Sequence, residues 1–115
     1  MPVTEAFIAE RDKLSKYRKA KAFVEYLEKK KARLKDPEDL EDIGERIRIK
    51  QANADRLKRE VLDRIYLLDN VVYWEILELY FIEGVSMPDI SERIGYTERH
   101  TRKLYSDAMN ILAEL

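Results

Sequence analysis

The chain has 115 residues, 39% of them charged and only six of them Gly or Pro, which favours one domain of long helices over a β architecture. Without cysteine there is no disulfide, thiolate nucleophile or zinc-finger site, and one histidine gives little scope for a metal centre. The net charge of −1 is unevenly spread: residues 1–35 carry eleven basic against five acidic side chains, residues 36–69 seven against ten, and residues 70–115 four against eight.

The first helix is expected from Thr4, an N-cap with Glu5 in its first turn, to about Leu34. Leu14, Tyr17, Ala20, Val24, Leu27 and Leu34 recur at helical intervals and make one apolar stripe. Around it lie Lys13, Lys16, Arg18, Lys19, Lys21 and the run Lys29–Lys31. At ~1.5 Å per residue such a helix is about 45 Å long, too long for a small domain to bury. "KDPED" interrupts the pattern, with Asp36 as N-cap and Pro37 at the first position of a second helix. There Leu40, Ile43, Ile47, Lys50, Ala54, Leu57, Val61, Arg64 and Leu68 alternate steps of three and four, a heptad seam in which only Lys50 and Arg64 are polar. Such a seam suits an antiparallel hairpin with the first helix, a coiled coil between chains, or a hairpin that also dimerises. Residues 1–68 are therefore expected to be a long helical hairpin or coiled-coil oligomerisation segment.

Asp69 or Asn70 caps a third helix, apolar on nearly every side and closed by Gly84. Its Trp74 and Tyr80 belong to a core more readily than to a ligand platform. Ser86 then caps a short helix with Pro88 and Asp89 in its first turn, and Gly95 ends it in a left-handed conformation. Thr97 caps a last helix that runs through Leu104, Ala108, Ile111, Leu112 and Leu115. A short helix, a three-residue turn with Gly and a longer helix are the elements of a helix-turn-helix, so residues 69–115 are expected to form such a domain. The turn predicts that Thr101 and Leu104 face inward while Glu98, Arg99, His100, Arg102 and Lys103 project from the helix start. In this geometry the second helix enters the major groove of DNA, and an arginine fork pairs with guanine O6 and N7.

The span from Ile76 to Leu115, with "ILELYFIEGVSMPDISERIGYTERHTRKLYSDAMNIL", resembles region four of bacterial sigma factors and its relatives among phage transcriptional regulators. An apolar helix ending in an aromatic, a Gly, a Ser-capped helix with "DISERIGYT" and a spaced Leu104–Ala108–Leu112 core carry the likeness. The long charged helices before it make the chain look like small phage regulators of the RinA/ArpU kind. The resemblance implies a DNA-binding transcription regulator, and the lack of a signal peptide or transmembrane run leads to the expectation of a cytoplasmic one. Its groove-facing residues would be Glu98, Arg99, His100, Arg102 and Lys103, with Ser86 and Thr97 near phosphates. Thr101 stands where the family usually has an aliphatic residue.

The surplus of acidic charge in residues 70–115 weakens attraction to phosphates. Either the basic first helix supplies backbone contacts, or dimerisation doubles the small cationic patch. Alternatively the module binds protein, such as RNA polymerase, or the chain is the small subunit of a viral DNA-packaging machine. No Gly-rich phosphate loop or nucleophile motif is present, so neither enzyme activity nor a cofactor is expected. No apolar run approaches transmembrane length, and no signal peptide opens the chain, so no membrane partner is expected either.

Overall fold

Five side chains placed just ahead of helices accept hydrogen bonds from the first turns, and they set the boundaries of the fold. The computed structural model describes residues 3–115 and contains α1 (Glu5–Leu14), α2 (Lys16–Lys31), α3 (Pro37–Ile65), α4 (Val71–Phe81), α5 (Met87–Ile94) and α6 (Glu98–Ala113). There is no strand among the described residues. Thr4 accepts from the N–H of Phe7, Asp36 from Glu38, Asn70 from Val72 and Tyr73, Ser86 from Asp89, and Thr97 from His100. The all-α architecture read from the sequence is what the chain adopts.

The first helix departs from its expected course. It is not continuous from Thr4 to Leu34 but breaks at Ser15 and ends at Lys31, leaving Leu34 in the loop that follows. The Ser15 hydroxyl donates to the carbonyl of Arg11 at 2.7 Å, a bond that bends helices, and the backbone there has ψ −10°. The bend sends the two arms to different neighbours. α1 lies on α6, where Phe7 meets Tyr105 edge-on at 6.3 Å. α2 runs along α3.

The α2–α3 pairing is the most extensive in the molecule, and it is antiparallel. The Lys58 amine lies 6.0 Å from the centre of the Tyr17 ring, the Lys50 amine 5.6 Å from that of Phe23, and Leu27 shares a depression with Ile43. The α3 seam is satisfied within the chain: Ile43, Ala54, Val61 and Leu68 are buried, and Leu40, Ile47 and Leu57 half-buried. Of the stripe on the first helix, Leu14, Tyr17, Val24 and Leu27 are buried. Lys50 reaches solvent, whereas Arg64 has a partner that the periodicity does not reveal. It donates to both carboxylate oxygens of Glu10, at 2.7 and 3.2 Å, and to the carbonyl of Leu112 at 2.9 Å. Glu10 is only 3% exposed, so one ion pair fastens α1, α3 and the end of α6.

Two apolar clusters meet on α4. Leu77 and Phe81 join Phe7, Leu14, Tyr17, Ala54, Val61, Ile65, Leu68, Ala108, Met109 and Leu112 in one of them. Ile76 and Leu79 join Met87 and Ile90 in the other, with Ile94 and Leu104 packed against it. This double burial explains a helix apolar on nearly every side. Each fully buried aliphatic contributes about 1.5–3 kcal/mol. Trp74 is half-buried and donates its indole N–H to the carbonyl of Leu68 at 2.6 Å, which fits the core role. At the C-terminal end Ile111 and Leu115 point outward, and Met109 takes the inward place between Ala108 and Leu112. The molecule measures 52 × 29 × 23 Å, and no helix among the described residues is long and apolar enough to cross a membrane.

Candidate nucleic-acid interface

The turn between α5 and α6 begins at Gly95, whose φ of +78° is reached readily only by glycine. The N–H groups of Gly95 and Tyr96 both donate to the carbonyl of Ser91, at 3.0 and 3.1 Å, and close α5 with a C-terminal cap. Two residues on, Thr97 accepts from the N–H of His100 at 3.1 Å and opens α6. Chain reversal is thus complete within Gly95–Thr97, and the first turn of α6 stands clear of the core.

What anchors that turn is Thr101, which is 0% exposed. A buried hydroxyl must have a partner, and Thr101 donates to the carbonyl of Thr97 at 2.9 Å. A threonine can occupy this fully buried position because its polar atom is satisfied one turn back along its own helix. Leu104 then packs against the cluster of Ile76, Leu79, Met87 and Ile90.

All seven residues singled out in the sequence, Ser86, Thr97, Glu98, Arg99, His100, Arg102 and Lys103, are exposed. Thr97, Arg99, His100, Arg102 and Lys103 border a single open depression, and Ser106 and Asp107 complete its rim. Ser86 lies apart at the start of α5, and Glu98 is outside the depression. Three contacts order the side chains of this tip. Tyr96 stacks edge-on against His100 with 5.0 Å between ring centroids, holding the imidazole at the tip. Arg102 is bonded to Glu98 at 2.8 Å, and Lys103 to Asp107 at 3.2 Å. Both ion pairs follow the i,i+4 rule, so their spacing was visible in the sequence. Because these pairs are exposed and screened, they yield to a competing phosphate at little cost.

The basic first helix also reaches this part of the molecule. A Cβ added at Gly84 would come within 2.7 Å of the Arg18 guanidinium, so that cation lies against the backbone two residues before Ser86. The remaining cations of the run Lys29–Lys31 lie near the far end of the hairpin.

No protein-family model, curated protein or solved structure matches this chain.

Proposed function

We propose that the chain is a sequence-specific DNA-binding transcriptional regulator of the sigma-region-four-like kind, phage- or prophage-encoded, acting as a homodimer through its helical segment. The observation that carries this reading is the exposed first turn of α6, where four basic side chains surround one depression and a buried Thr101 fixes the helix beneath them. In the major groove Arg99 and Arg102 read base edges as forked donors. Lys103 and His100 supply further donors, and Arg102 exchanges Glu98 for the DNA. Arg18, lying beside Gly84 and near the exposed Ser86, supplies a cation from the hairpin to the phosphate backbone.

Selection of bound sites from a random duplex pool tests the reading directly. An enriched motif supports it, and a palindromic one reports a two-fold dimer. Replacing Arg99, Arg102 and Lys103 together with Ala is expected to weaken specific binding at least about a hundredfold. Unfolding free energy stays within roughly 0.5 kcal/mol, since all three side chains are exposed. Unchanged affinity in that variant at moderate salt removes α6 as the reading element.

A second reading has one observation in its favour. Of the tip cations Arg99, Arg102 and Lys103, the last two are already matched by carboxylates of their own helix, a pattern that also suits a protein surface. In that case the module docks on RNA polymerase as an adaptor. Retention of a purified polymerase, with none on duplex DNA of any sequence, decides for it.

A further inference from the structure

The polar side chains at the start of α6 are ordered in two ways. Arg102 and Lys103 are tied to carboxylates of their own helix. The imidazole of His100 is held by a ring contact instead: Tyr96 meets it at 80°, with 5.0 Å between centroids. Among the described residues neither ring nitrogen of His100 has a hydrogen-bond partner.

Each ring stands on a fixed stretch of backbone. The N–H of Tyr96 donates to the carbonyl of Ser91 at 3.1 Å, so the cap that closes α5 also fixes where the phenol side chain begins. The N–H of His100 donates to the Thr97 hydroxyl at 3.1 Å, and the residue after it is the buried Thr101. Tyr96 is 42% exposed. His100 borders the depression at the tip and Tyr96 does not, so the phenol ring braces the imidazole from outside that opening. An exposed histidine ordinarily samples several rotamers, and a partner that needs one of them must first immobilise it. A carboxylate neighbour would order the ring but occupy an N–H. The contact with Tyr96 orders it and leaves both nitrogens free.

We propose that Tyr96 is a positioning residue for base reading: by fixing the imidazole of His100, it makes that side chain choose one base pair in the major groove. His100 donates to an acceptor on the base edge, such as a purine N7, and Tyr96 acts through His100 without touching the DNA. The proposal deepens the DNA-binding reading above and rests on it.

Site selection from a random duplex pool, run in parallel on the full native chain and its variants, tests it. His100→Ala is expected to erase the preference at one base-pair position, worth roughly fivefold to a hundredfold between best and worst base. Tyr96→Ala is expected to reduce the preference at that same position to under about threefold and to leave the other positions as they were. Tyr96→Phe keeps the preference, because the ring contact does not use the hydroxyl. Tyr96→Ala combined with His100→Ala is no worse at that position than His100→Ala alone. A loss of folding would weaken all sequences alike, so a change confined to one position separates positioning from stability. Without DNA, the imidazole proton resonances of His100, the single histidine of the chain, are expected to move toward unfolded-chain positions in Tyr96→Ala at fixed pH. No enriched motif for the native chain sinks the DNA-binding reading and this proposal with it. A motif that Tyr96→Ala leaves intact, or alters at a position that His100→Ala does not touch, overturns this proposal alone. Histidine resonances indifferent to Tyr96→Ala do the same.

Discussion

The hairpin of α2 and α3 and the helix-turn-helix of α4 to α6 are both helical, but they hold themselves together differently. The hairpin buries one stripe per helix and leaves the other faces mostly charged, with Phe23, Tyr26 and Ile49 exposed among them. The helix-turn-helix buries α4 on two sides, in two clusters. Their charges differ in the same sense. The lysines of α2 have no carboxylate partners among the described residues, whereas Arg102 and Lys103 on α6 each have one on the same helix. Specific reading calls for few cations in fixed positions, and general attraction to a polyanion calls for many loosely held ones. Under the proposed function the two would fall to different regions, with carboxylate-paired cations on α6 and unpaired lysines along α2.

The largest test of that division breaks the joint between the regions. Arg64→Ala leaves Glu10 buried without its cation, and about 3 kcal/mol or more of stability is expected to be lost in urea unfolding. If the loss is under about 1 kcal/mol, the two regions are not fastened there. Next in size, Gly95→Ala forces a left-handed conformation on a residue with a Cβ. With nothing within 4 Å of that Cβ, the cost is backbone strain alone, about 1–2 kcal/mol. DNA affinity should fall with it, because the tip is re-aimed. Glu98→Gln releases Arg102 and is expected to move stability by less than about 0.5 kcal/mol. In filter binding the same change should tighten DNA severalfold. Weaker binding would mean that Glu98 aims Arg102 rather than restrains it.

One further effect is confined to alkaline pH and absent at neutrality. Burial first, and the neighbouring Tyr80 second, push the Tyr105 phenol up to about 12. In the unfolded chain it ionises near about 10, so only the folded state resists losing the proton. Stability from this group is intact below that value and declines as pH rises from about 10 to 12. Tyr105→Phe should flatten the decline, measured as urea midpoints at pH 9 and 11.

Much of this fold was legible because its signals are local. Asp36, Asn70, Ser86, Thr97 and Gly95 each act within a few residues of themselves, and each marks the boundary it promised. The heptad seam announced a long partner but could not name it, since an apolar stripe is satisfied equally by its own chain or another. The break at Ser15 was hidden because Leu14 and Tyr17 continue the stripe across it. Glu10 carries no periodic signal that sets it apart from the exposed carboxylates of the first helix, although it is buried. Only Arg64, polar at a seam position, hinted that a buried anion was waiting. At the candidate site the exposure of Arg99, His100, Arg102 and Lys103 followed from the turn. What went unread was a spacing the sequence does carry: Glu98 and Asp107 stand four residues from Arg102 and Lys103, and each pairs with its neighbour.

The fold-back of α1 has a consequence for how the protein comes into being. Phe7 and Glu10 find their settled surroundings beside Tyr105 and Arg64, the latter bonded in turn to Leu112, all of them far along the chain from α1. The contacts of α1 therefore cannot close before α3 and α6 have both been made, and until then its apolar side chains have no settled cover. Cutting away those first turns would strip a wall from the closing helix, however intact that helix's own sequence remained.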